Sequence, residues 1–221
     1  MAIISEVEHI LGDSTPSTFE KYVEIYGDTA IRAMNGIGIN LLGAWRQVTG
    51  PIGRDLMLSS FESMAELEDY LPKLMEHEAL LEGLPRLMGL GFTIDEAARY
   101  GRTLPFADER RLLQGTENLG VSPRSYRLIR RRADSDGMEA AIGKLSDLAD
   151  ALEAAGSWKL FTAYLTTVGD RRELTEIWIV DDFTSGWYPQ AAPLEVLAAL
   201  DAVTLDSSVQ LLEPLPYSKA R

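Results

Sequence analysis

The chain has 221 residues, 34 acidic against 21 basic side chains and a formal charge of −13, with 46% hydrophobic residues, enough to bury a sizeable core. It holds no cysteine, which excludes disulfides, thiolate metal sites and cysteine nucleophiles. The negative charge opposes binding to phosphate backbones and anionic bilayers, and no run of about 18 uncharged apolar residues occurs, so a soluble, cytoplasmic protein without nucleic-acid or membrane partners is expected.

Residues 1–18 read as an N-terminal tail, with His9 inside it and outside any site. FEKYVEIY (Phe19 to Tyr26) alternates and is rich in aromatic and β-branched residues, which predicts the first strand. A weak helix is expected over 27–40, then two strands in LLGAWRQVTGPIGRDLMLSSFES around a Gly50-Pro51 turn, an antiparallel hairpin. Ser63 and Glu66 offer a capping box for a long helix whose stripe is Leu67, Leu71, Leu74, Glu78 and Leu81. An irregular flap over 82–100, able to hold a short helix in IDEAARY, leads to a fourth strand within 102–114 and a polar linker over 115–123.

The order then repeats. SYRLIRRR (Ser125 to Arg132) predicts a strand and 136–156 an Ala/Leu-rich helix. WKLFTAYLTTVG and ELTEIWIV predict a second hairpin, a helix starts after Pro193, and SSVQLLEPL is the closing strand before a tail at 215–221. Recurrence of strand, helix, hairpin, helix, strand at a spacing of about 105 residues predicts an α+β protein of two tandem ferredoxin-like (β-α-β-β-α-β) halves, 19–114 and 124–214. Helices cover one face of such a sheet, so the other faces, carrying Tyr22, Glu24, Tyr26, Trp45, Phe61, Tyr164 and Trp178, are expected to turn toward each other and enclose a pocket.

The first hairpin, with Gly43, Trp45, Gly50, Pro51, Phe61, Glu62 and Ser63, resembles the NIPSNAP family of tandem dimeric α/β-barrel proteins. The resemblance implies this barrel, a pocket in it and a possible homodimer, with Met57 and Ser59 where relatives place His and Trp, and Trp178 and Glu176 in the matching places of the second half. The wider superfamily spans haem enzymes, cofactor-free monooxygenases and isomerases.

Within that frame Glu24 and Glu176 are the candidate acid/base groups, since desolvation raises a carboxyl pKa. The alternative is a structural ion pair with Arg130 or Arg46. His77 is a candidate proton shuttle, or an exposed helix residue. Tyr22, Tyr26, Trp45, Met57, Ser59, Phe61, Arg130, Tyr164 and Trp178 are the candidate substrate-binding residues. Trp187 and Tyr188 are further rings of this kind. No nucleotide loop, HExxH, Gly-x-Ser-x-Gly or EF-hand spacing is present, so no cofactor or metal is expected. The expected function is a cofactor-independent isomerase, cyclase or monooxygenase acting on a hydrophobic oxygenated metabolite, the alternative being a non-catalytic protein that sequesters a lipid, haem or metabolite.

Overall fold

The computed structural model describes residues 1–107, 125–156, 158–170, 172–180, 184 and 194–220. The first half runs β1 (Ile3–Leu11), α1 (Pro16–Tyr26), a π-helical turn (Gly27–Ile31), α2 (Arg32–Gly36), β2 (Asn40–Gln47), β3 (Arg54–Phe61), α3 (Met64–Met75), α4 (Glu78–Met88) and β4 (Ile94–Thr103). The second runs β5 (Ser125–Arg132), α5 (Met138–Ala154), β6 (Lys159–Val168), β7 (Glu173–Val180), α6 (Leu194–Asp201) and β8 (Asp206–Pro214). The strands close into one barrel in the order β1-β3-β2-β8-β5-β7-β6-β4. Each half therefore contributes a sheet of order 4-1-3-2, joined to the other through β2–β8 and β4–β6. Both hairpins carry a bulge at the matching place, between Leu41 and Gly43 and between Leu160 and Thr162, as a duplicated unit would. The expected α+β barrel of two ferredoxin-like halves is the observed fold.

Several boundaries differ from expectation. The first strand is β1, inside the presumed tail. Its outward residues pack under helices and its inward residues line the barrel, so both faces are buried and its polar residues find partners instead of water. Phe19 to Tyr26 is helix α1, started by Thr15, whose hydroxyl accepts the Thr18 N–H, with Pro16 in the first turn. Phe19, Tyr22, Val23 and Tyr26 then fall on one stripe at i, i+3, i+4 and i+7. The long helix breaks at His77 into α3 and α4, and the presumed flap consists of the rest of α4 and most of β4, with Ile94 to Tyr100 extended, not helical. Residues 215–220 are no loose tail: Leu215, Ser218 and Ala220 are buried; residue 221 lies outside the described residues. The linker over 115–123 lies outside the described residues.

The largest correction concerns the space between the sheets. An eight-stranded barrel is just wide enough for its own side chains, and this one is occupied by them. Trp45, Tyr126 and Phe161 form a mutual edge-to-face trio at centroid distances of 5.3, 5.6 and 5.7 Å, packed with Leu42, Leu56, Leu128 and Ile177. The Trp45 ring lies against Gly43, where a Cβ would come within 2.3 Å of it, which explains the Gly-x-Trp pattern. Beside the trio, Tyr164 donates its hydroxyl to Glu6, which also pairs with Arg130 and Arg99, each at 2.7 Å. Gln47 and Arg54 hold Glu8 in the same network.

Burial alone would raise the Glu6 pKa, but the Arg130 charge, the Tyr164 hydroxyl and Arg99 outweigh it and hold it below its ordinary 4.5. The stabilisation from this ion cluster is therefore present above pH 4.5 and lost as pH falls through the depressed value. Glu6→Gln should lower unfolding free energy in urea at pH 7 by about 3–5 kcal/mol, because two guanidinium groups lose their buried partner. The gap between variant and wild type should narrow on acidification.

Candidate functional site

Outside the barrel wall, the alternation of β1 and β3 sends Ile3, Val7, Met57 and Phe61 beneath the first-half helices. His9 and Asp55 share that outward phase and stand directly opposite one another in the ladder. Asp55 is fully buried and His9 is 3% exposed. One carboxylate oxygen, Oδ1, lies 2.7 Å from His9 Nδ1 and accepts the His9 backbone N–H at 3.3 Å. The other, Oδ2, accepts the Tyr22 hydroxyl from α1 at 2.9 Å. A carboxylate held this way fixes the proton on Nδ1 and leaves the Nε2 lone pair directed away from Asp55. Nε2 faces the Tyr26 hydroxyl at 3.5 Å and Glu96 Oε2 at 3.8 Å. Glu96 is 61% exposed, so this is the edge of the imidazole nearest to solvent.

Burial alone would lower the His9 pKa; the charge and hydrogen bond of Asp55, with help from Glu96, outweigh it and raise it above 6.5. Burial, then the Asp55 charge, pushes the Tyr22 and Tyr26 phenols well above their usual range, so both remain neutral donors. The arrangement is a buried Asp-His pair among phenols, the chemistry of a general base beside hydrogen-bond donors.

The residues singled out in the sequence fall into separate places. Tyr22 and Tyr26 lie against His9 and Asp55, and Met57 is the next outward residue of β3, whereas Ser59 and Phe61 share that outward face farther along the strand, opposite Ser5 and Ile3. Trp45, Tyr164 and Arg130 fill the interior. Glu24 is on the exposed side of α1, since a helix and not a strand carries it. Glu176 and Trp178 face outward under the second-half helices, one residue out of the expected phase. There Arg131 lies 2.5 Å from one Glu176 oxygen and Trp178 Nε1 donates to the other at 2.6 Å, so Glu176 forms an ion pair, with Arg131 in place of Arg130 or Arg46. His77 caps α4 by accepting the Ala79 N–H at 3.2 Å. Trp187 and Tyr188 lie outside the described residues.

The sequence reading missed His9 and Asp55. Asp55 precedes Met57 by two and so shares the phase already assigned to Met57, Ser59 and Phe61; His9 has the phase of Val7 and Leu11 in a strand mistaken for a tail. In the second half the same ladder position sets Arg131 opposite Leu174, so the Asp-His pair has no counterpart there.

No protein family matches the chain, and no curated protein matches it in sequence. The NIPSNAP likeness thus rests on the hairpin residues. Solved structures do resemble it. A candidate monooxygenase of Fusobacterium nucleatum superposes with a TM-score of 0.63 at 8% identity, over 97% of this chain and 93% of that one. The fold is of the dimeric α/β-barrel type. A chlorite dismutase variant of Candidatus Nitrospira defluvii gives 0.55 at 10% identity, covering 98% and 91%. An anthrone oxidase-like protein gives 0.54 at 11%, covering 100% and 94%. Such different proteins on one scaffold make the likeness evidence of fold, and the chemistry has to be argued from the site.

No helix among the described residues is long and apolar enough to cross a membrane. With only two histidines in the chain, NMR titration can follow His9 directly. It should titrate above 6.5, and Asp55→Asn should bring it below, because burial then acts without its counter-charge. The stabilisation from protonated His9 should be complete below pH 6.5 and vanish as pH rises through the elevated value.

Proposed function

We propose that the chain is an enzyme that removes a proton from a planar, hydrophobic, oxygenated small molecule, with His9 as the general base and Asp55 orienting it. The observation that carries this reading is the buried 2.7 Å contact between Asp55 and His9, with Nε2 left facing the Tyr26 phenol and the open side of β4. Ile94, Glu96 and Ala98 on the outward face of β4 are exposed, which gives a route to that edge. Tyr26 and Phe92, both partly exposed, add ring surface beside the route.

Isomerisation, cyclisation and cofactor-free oxygenation of an oxygenated ring system all begin with such a proton transfer. The monooxygenase and anthrone oxidase-like neighbours favour the oxygen-consuming outcome. In it, the carbanion made at His9 reacts with dioxygen; for anthrone, one substrate and one dioxygen give anthraquinone and water.

Anthrone is therefore the first probe, incubated with the protein in air while quinone absorbance and oxygen uptake are followed. His9→Gln should lower kcat by about 10²–10⁴-fold, whereas Glu24→Gln, on the solvent side of α1, should leave the rate unchanged. Because neutral His9 is the base and its pKa is raised, turnover should increase with pH through a value above 6.5. Wild-type turnover in His9→Gln would refute the assignment.

A further inference from the structure

The segment following β8 is anchored at two points. Ser218 Oγ accepts the Ala44 N–H at 2.9 Å, and the Ala220 carbonyl accepts the Tyr126 hydroxyl at 2.6 Å. Between β8 and these anchors stands Tyr217, whose ring packs on Gly27, where a Cβ would lie 2.9 Å from Cδ1. The ring centroid is 6.5 Å from that of Tyr26, which in turn stands edge-on to the His9 ring at 5.0 Å. Any residue but glycine at 27 would push the Tyr217 ring away from this layer. The Tyr217 hydroxyl is buried and has no hydrogen-bond partner among the described residues, although it is close enough to Asp55 and Tyr26 for both to act on it electrostatically.

A buried O–H without an acceptor is a persistent cost to a fold. A ligand that completes the bonding is one explanation of such a donor, and donors aimed at developing charge are the most effective in catalysis. We propose that Tyr217 is a catalytic residue that donates a hydrogen bond to the oxygen on which negative charge develops when His9 takes the substrate's proton. This rests on the reading of His9 as base. The substrate class it implies is a ketone with an acidic C–H next to, or conjugated with, the carbonyl. The C–H bond breaks, its proton goes to His9 Nε2, the electron pair moves to the carbonyl oxygen, and Tyr217 keeps its own proton while stabilising the enolate. Burial, then the charge of Asp55, raises the Tyr217 pKa, which keeps the phenol protonated for this role.

Tyr217→Phe removes only the hydroxyl and retains the ring contacts with Gly27 and Tyr26. With anthrone in air its kcat should fall about 10²–10³-fold with KM nearly unchanged. Its thermal midpoint should equal or exceed that of the wild type, since an unpaired polar atom is gone. Unchanged kcat in Tyr217→Phe, with His9→Gln inactive, would overturn the role of Tyr217 and leave the base assignment standing. If the wild type does not turn anthrone over, binding of alizarin, a planar ketone and phenol, decides: affinity should drop about tenfold in Tyr217→Phe. Equal affinities would overturn the proposal, and absence of both turnover and alizarin binding by the wild type would overturn it together with the functional reading.

Discussion

Closure of the barrel governs where anything can bind in this protein. Two four-stranded sheets joined through β2–β8 and β4–β6 leave an interior that Trp45, Tyr126, Phe161 and Tyr164 fill, with Glu6, Arg130 and Arg99 satisfying one another beside them. The charged members tolerate this position only because each faces an opposite charge. With the interior occupied, the layer between barrel wall and helices is where the proposed chemistry lies. The outward phase of β1 and β3 decides which side chains reach it.

The two halves use that layer differently. In the second, Trp158, Trp178 and the leucines of α5 form a dense core, and Glu176 is taken up by Arg131 and the Trp178 indole. In the first, the ladder position equivalent to Arg131 and Leu174 holds His9 opposite Asp55, with two tyrosines from α1 and a third from the segment after β8. Duplication supplies two similar scaffolds, one packed around the Glu176–Arg131 ion pair and one carrying the Asp-His pair. The π-helical turn directly after Tyr26, with Thr29 Oγ1 donating to the Ile25 carbonyl at 2.6 Å, belongs to the half with the Asp-His pair as well. Such turns recur at functional sites because they redirect a helix without ending it.

Much of the architecture was legible in the chain because it depends on local pattern: the two hairpins with their turns, the cap at Ser63, the helix over Met138–Ala154 and the repeated order of elements. The error at Phe19 to Tyr26 came from the same source. Tyr and Val favour strands, and the segment satisfies both a period of two and a helical stripe; the cap at Thr15 and Pro16 settled it as helix, and packing of Tyr22 on Asp55 keeps it there. Strand β1 was missed for the opposite reason. Glu6, Glu8 and His9 look like solvent-facing residues until their partners, Arg99, Arg130, Arg54 and Asp55, arrive from strands far along the chain.

The sequence by itself determined the duplicated α+β plan and the hairpins. Only the tertiary structure decided that the barrel interior is packed, that Glu176 is bound in an ion pair, and that His9, Asp55, Tyr22, Tyr26 and Tyr217 meet. Local periodicity records which side of a strand a residue occupies, but not which side of the closed sheet is covered by helices. Contacts between residues as distant as 9, 55 and 217 depend on closure, which no window of sequence contains.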